Sequence, residues 1–373
     1  MSGQKPIQPK IRIHLTNVNG VGAGAAHLLQ SLLPALVHCG RCVISKAYLP
    51  SRGPLADFFS SNKIIAVDVY KRILPNALSR LLECTVFGAR FDGLEPLLVF
   101  GDIPLRCKAP QTVFVQTAHL LPSSQKRLTM GSIKYIFVRL IFRLNSRYAK
   151  ALIVQTKLMK EALIEAYPQV IGRVHVLGQP VPAWLLGQKL RRTQRVGKSG
   201  DGLNLIYPAA EYPHKNHKLF SELTREKSIG WPVKKLILTV SRNLNPAPAV
   251  PWIECHGFLR PQQMIESYKY VDALLFLSKD ESYGFPLVEA MFIGLPIICP
   301  DLPYARILCH DEAIYFDPNS ISSLEVAIHV LKLRLDAGWW PNWTNQLMDI
   351  PESWDKVADT MTRIALTAEK TMT

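Results

Sequence analysis

Acidic residues are scarce in this chain: 29 Asp+Glu stand against 44 Lys+Arg in 373 residues, a formal charge of +15. No apolar run comes near the roughly 18 uncharged residues that a membrane-spanning helix needs, so no transmembrane segment is expected. The opening MSGQKPIQPKIRIHLTN has neither an apolar core nor a small-residue cleavage site, so it does not read as a secretory leader. A cytoplasmic chain is the expectation. Paired cysteines are also lacking. The seven cysteines are odd in number and scattered, which argues against a disulfide framework. Cys39 and Cys42 have C-x-x-C spacing, but no second such pair or H-x-x-x-H accompanies them, so buried thiols are expected rather than zinc ligands. With 48% apolar and 20% charged residues, disordered and fibrous classes are excluded.

The charge is unevenly spread. Residues 1–200 hold 28 Lys+Arg against 8 Asp+Glu, and residues 201–373 hold 16 against 21. An excess of this kind suits a polyanionic partner such as an anionic bilayer, a phosphorylated substrate or nucleic acid. It is densest between Lys126 and Lys150. There Ile133, Ile136, Phe137, Leu140, Ile141 and Leu144 recur at helical steps, and Arg139, Arg143 and Arg147 form a stripe at i, i+4, i+8. This pattern fits a helix lying in an anionic interface, and equally an ordinary amphipathic helix with its apolar face in the core. No helix-turn-helix, zinc-finger or RNA-binding signature accompanies the charge, so no nucleic acid is expected.

Short β-rich runs (IRIHL, LLVFG, TVFVQ, ALIVQT, then LNLIYPA, KKLILTVS, ALLFLS, PIICP) alternate with helical patterns, which predicts parallel sheets wrapped by helices. The polar, basic segment 188–202 divides the two series. The expected organisation is an N-terminal domain over 1–187, a linker over 188–202, a second domain over 203–350, and a helix over 351–373 packing back on the first. Two doubly wound α/β domains facing a central cleft are predicted.

The segment 271–318 carries the most chemistry. A strand leads into a loop with Asp280, Glu281 and Gly284; Phe285 and Pro286 start a helix; Glu289 lies one turn in, and Gly294 ends it. Amides at that helix start suit a phosphate. Glu281 can accept hydrogen bonds from sugar hydroxyls and Glu289 from a diol such as a ribose. Gly20, Gly22 and Gly24 follow the first strand and permit close approach to a phosphate, with a plain tight turn as the alternative. Lys215 stands in a Pro-His-Lys-Asn-His loop after a strand, and His119 at the carboxyl end of another.

The string ESYGFPLVEAMFIGLPIIC resembles the signature of retaining glycosyltransferases of family 4, and YPAAEYPHKNH, ALIVQTKLMKEAL, NGVGAGAAHLLQSLLPAL and VFVQTAHLLP resemble further elements of that family. The resemblance implies a GT-B fold of two Rossmann-like domains and transfer of a sugar from a nucleotide diphosphate donor (UDP- or GDP-linked) to a glycan acceptor. It assigns donor binding to Gly20, Gly22, Lys215, Gly284, Phe285 and Glu289, and catalysis to His119 and Glu281. The family's arginine before the lysine is replaced by Ala210, so either His214, Arg242 or another basic side chain supplies that charge, or the phosphate site is weaker. No D-x-D motif appears, so metal independence is expected. The basic first domain suits a polyprenyl-diphosphate-linked acceptor of surface-polysaccharide assembly, with peripheral attachment to the inner face of the plasma membrane through Arg139, Arg143 and Arg147. A sugar-nucleotide epimerase of the same fold and a basic nucleic-acid-binding protein are the rival readings.

Overall fold

The computed structural model describes residues 8–15, 23–51, 66–70, 74, 76–117, 120–121, 130–193 and 202–370. The chain divides into two compact units, residues 1–179 with 351–373, and residues 180–350.

Unit 1 runs β1 (Lys10–Leu15), α1 (Ala23–His38), β2 (Val43–Pro50), β3 (Ala66–Tyr70), α2 (Asn76–Cys84), β4 (Leu97–Phe100), β5 (Gln111–Phe114), α3 (Met130–Asn145), β6 (Ala149–Val154), α4 (Lys157–Ala166) and β7 (Val174–Val176). All seven strands are parallel, in the order β3-β2-β1-β4-β5-β6-β7. A parallel strand buried on both faces needs a nearly continuous apolar run, and β1 buries every residue after Lys10. Arg12 and His14 are its polar exceptions, and the first has a clear role. Its guanidinium donates to the carbonyls of Asp92 at 2.9 Å and Glu95 at 2.9 Å, pinning the turn that feeds β4.

Unit 2 runs α5 (Ala183–Leu186), β8 (Leu203–Tyr207), β9 (Val233–Leu238), β10 (Ile253–Cys255), α6 (Pro261–Tyr270), β11 (Ala273–Leu275), α7 (Phe285–Ile293), β12 (Ile297–Pro300), α8 (Pro303–Cys309), β13 (Ile314–Phe316), α9 (Ile321–Asp336) and α10 (Thr344–Met348). Its six strands are also parallel, ordered β10-β9-β8-β11-β12-β13. In each sheet the winding direction reverses once, between β1 and β4 and between β8 and β11. Crevices at the carboxyl ends of such strands are where open α/β sheets take ligands. The expected fold of two doubly wound α/β domains is present.

The last helix, α11 (Trp354–Lys370), belongs to unit 1. It lies against α1, β5 and β6, with Val357, Ala358, Met361 and Ala365 buried. The boundary falls at Gln179/Pro180 rather than in the polar stretch 188–202. The reason lies in two arginines. The Arg192 amide donates to Ile293 O at 2.6 Å, its guanidinium holds the Tyr268 and Lys269 carbonyls at the end of α6, and Arg191 stacks 4.2 Å over Phe292. Cations favour a helix carboxyl end, where carbonyls lack partners. Residues 188–193 therefore pack on unit 2; residues 194–201 lie outside the described residues.

Candidate functional site

The site forms at the reversal point of the unit 2 sheet. The loop leaving β8 carries Lys215, and the loop leaving β11 carries Glu281. The two side chains form an ion pair, with Lys215 16% and Glu281 13% exposed. Both loops are held by hydrogen bonds that no short-range pattern announces. Tyr207, the last residue of β8, donates its hydroxyl to Lys215 O at 2.7 Å. The Lys279 amide donates to His214 O at 2.7 Å, joining one loop to the other. Tyr304 of α8 donates to Ser278 O at 2.5 Å. Asn216 turns the first loop through a left-handed backbone (φ 58°), and its side-chain amide is anchored on Pro318 O at 2.9 Å.

Gly284 precedes α7 at φ 89°, a conformation that a side chain disfavours. The helix start offers fewer amides than its sequence suggests. Pro286 has no N–H, and those of Leu287 (2.9 Å) and Val288 donate back to Gly284 O. Gly294 closes α7 at φ 81°, and a β-carbon there would meet Arg192 O at 2.6 Å.

Glu289 is placed differently from Glu281. It is 7% exposed, and its Oε2 accepts the Tyr268 hydroxyl at 2.7 Å. Burial pushes its carboxyl up to about 7, against the opposing pull of the tyrosine hydrogen bond. It therefore faces α6, while Glu281 faces Lys215. Close to the lysine, His217 is half-buried with its ring 5.0 Å from that of Tyr207, and its buried Nε2 has no hydrogen-bond partner among the described residues. Burial, and then the Lys215 charge, take its imidazole down to about 4, so it is neutral at physiological pH.

The remaining expected residues divide. His214 stacks on Tyr212 with ring centroids 5.5 Å apart, and its carbonyl ties the loops. Arg242 is exposed in a 3-10 turn beyond β9, with no described contact to Lys215 or Glu281. Gly20, Gly22 and His119 lie outside the described residues. Tyr207, Tyr268 and Tyr304 were not found by sequence reasoning. Only Tyr207 had a local signal, as the last residue of a strand entering the lysine loop.

Helix α3 resolves into two apolar faces. Phe142 is fully buried, with Val138 and Ile141 packed on the core, while Ile136, Phe137, Leu140 and Leu144 are about half exposed. Of the three striped arginines, Arg143 is exposed on the helix and Arg147 is exposed just beyond it in a 3-10 turn, whereas Arg139 donates to Leu121 O at 2.5 Å. Among the described residues no helix is long and apolar enough to cross a membrane. Cys42, of the C-x-x-C pair, is buried, and burial takes its thiol up to about 11.

Residues 251–333, under a quarter of the chain, match the family described as glycosyl transferases group 1. The chain is 25% identical over 88 residues to the O-antigen chain mannosyltransferase B of Escherichia coli, a stretch that spans 24% of this chain and 23% of that protein. It is 22% identical over 256 residues to the O-antigen chain mannosyltransferase RfbU of Salmonella typhimurium, covering 65% of this chain and 69% of the relative. Among solved structures, WaaG, a glycosyltransferase involved in lipopolysaccharide biosynthesis, superposes with a TM-score of 0.62 at 13% identity, over 94% of this chain and 99% of its own. The fold is that of GT-B glycosyltransferases, and its second unit carries the glycosyl transferases group 1 segment.

Proposed function

We propose that the chain is a retaining glycosyltransferase that moves a hexose, mannose in the first instance, from a nucleotide diphosphate donor to a lipid-linked glycan during assembly of a surface polysaccharide. One observation carries this reading: Lys215 and Glu281 meet at the reversal point of the sheet, with Glu281 inside the matched segment. The mannosyltransferase relatives support the sugar, and the O-antigen context supports the acceptor.

The chemistry follows from the charges. The bond from the anomeric carbon to the donor phosphate breaks, and the acceptor hydroxyl bonds to the same face while its proton passes to the departing phosphate oxygen. The leaving diphosphate gains negative charge, and a positioned ammonium stabilises that charge more in the transition state than in the ground state. Lys215 takes this role, exchanging Glu281 for phosphate oxygens when the donor enters and freeing Glu281 to hold the sugar hydroxyls. Glu289 accepts from the nucleoside ribose, and His119 contacts the transferred sugar. Lys215 supplies the charge that a metal supplies elsewhere, so activity persists in EDTA in this reading.

Unit 1 meets the acceptor at an anionic membrane surface. Residues 1–179 hold 23 Lys+Arg against 8 Asp+Glu, while 180–350 hold 18 against 17. The exposed apolar face of α3 sits in the basic part. A product assay with GDP-mannose, UDP-glucose and a polyprenyl-diphosphate-linked glycan tests the whole. Transfer with retained anomeric configuration supports it. Inverted product, or conversion of the nucleotide sugar with no acceptor present, refutes it.

A further inference from the structure

A second apolar surface stands beside that of α3. Helix α2 is built inside out. Polar groups share its inward side with Cys84: Ser79 and Glu83 are buried, and Arg80 is paired to Glu83 at 3.8 Å. Arg80 also donates to the carbonyls of Gly101 and Ile103. Outward α2 presents Leu78 and Leu81, 44% and 39% exposed, and Leu74, 41% exposed, stands just before the helix. The turn after the helix adds Val86 at 68% and Phe87 at 55%. Aqueous exposure of so many large apolar groups in one place marks an interaction surface.

This surface adjoins the first. The Cys84 carbonyl that ends α2 accepts both the Asn145 side-chain amide of α3 at 2.8 Å and the Arg106 amide at 3.1 Å. Leu144, 59% exposed, is next to Asn145, just as Val86 and Phe87 follow Cys84. At the seam, Arg147 donates to the Tyr148 hydroxyl at 3.1 Å, and the guanidinium groups of Arg147 and then Arg106 hold that phenol below its usual range. Neither arginine is paired with a carboxylate among the described residues. Two guanidinium groups converging beside apolar side chains suit a lipid phosphate more than an apolar protein partner or a second copy of so basic a unit.

We propose that unit 1 engages an anionic bilayer through two elements, α3 and the α2 face with its Val86–Phe87 turn, with Arg106 and Arg147 at headgroup level between them. This rests on the membrane reading above and extends it. Two shallow elements hold a protein in one orientation, where a single helix leaves it free to roll about the helix axis.

Vesicle sedimentation tests the inference, using phosphatidylcholine with and without phosphatidylglycerol. Val86→Ser/Phe87→Ser lowers the partition coefficient about tenfold, and Arg106→Gln/Arg147→Gln removes most of the preference for the anionic lipid. A Phe87→Trp variant gains a blue-shifted emission component that brominated lipid quenches. Unchanged melting temperatures and unchanged UDP or GDP binding establish that the variants are folded. If the wild type ignores anionic vesicles, the membrane reading itself falls. If it binds, and Ile136→Ser/Phe137→Ser/Leu140→Ser abolishes binding while Val86→Ser/Phe87→Ser does not alter it, the two-element contact is wrong and the single-helix reading stands. Lipid-free self-association that Phe87→Ser abolishes also overturns it.

Discussion

Replacing Glu289 by Gln makes unit 2 more stable at neutral and alkaline pH, by an amount the structure sets. The folded-state carboxyl titrates near 7 instead of 4.5 because burial in α7 disfavours its charge. Below about pH 4.5 the group is neutral in both states and costs nothing. Between 4.5 and 7 the unfolded chain ionises first, so it binds fewer protons than the folded chain and stability falls as pH rises. Above 7 both states are ionised and the penalty is constant. Two and a half units at 1.36 kcal/mol each give about 3 kcal/mol. Glutamine keeps the Tyr268 hydrogen bond through its carbonyl oxygen and carries no charge. For a unit the size of residues 180–350, the melting temperature should rise by on the order of 10 °C at pH 8 and little at pH 4.5. Thermal melts of both proteins from pH 4.5 to 8.5 measure this. A difference that stays constant across the range, or a variant less stable at pH 8, refutes the reasoning. The comparison must be with the wild type at each pH, because His217 contributes an opposing slope.

That slope is itself testable: with its folded-state value near 4, His217 loses stability as pH falls from 6.5 towards 4, and His217→Phe should remove that loss by about 3 kcal/mol at pH 4 in urea titrations. Lys215→Ala should lower kcat/KM for donor by about 10²–10³-fold, and Glu281→Gln by a similar factor. The double variant should then be far from additive, since each partner is unpaired once the other is gone; additive losses in steady-state kinetics would argue against a shared role. Arg242→Ala should change donor affinity less than twofold in a nucleotide-binding titration, since the side chain has no described contact with Lys215 or Glu281. Raising salt from 0.05 to 0.5 M should release the wild type from anionic vesicles, because the Debye length falls severalfold over that range.

The strand-loop-helix grammar of both halves was legible because parallel strands need unbroken apolar runs, and so was the position of Lys215 and Glu281 in loops at strand ends, though not their pairing. What escaped was set by contacts between distant residues. Tyr268 and Glu289 lie 21 residues apart on different helices, and nothing local says that this carboxyl faces a tyrosine rather than water. Arg191 and Arg192 read as linker because they are polar, yet their long side chains lie along unit 2 and reach its helix ends. The spacing in α3 suggested one apolar face because Phe142 fell between the counted positions, and it is Phe142 that enters the core. In α2, the inward placement of Arg80 and Glu83 inverts the usual rule that polar side chains face out.

Unit 1 is interrupted in the sequence by unit 2, so its helix α11 is made only after unit 2. On a ribosome adding roughly 5–20 residues per second, the 171 residues from 180 to 350 take roughly 10–30 s, during which α1, β5 and β6 lack their cover. The inserted unit can therefore finish folding first, and a nascent chain stalled before Pro351 would display a bare seam to chaperones and proteases.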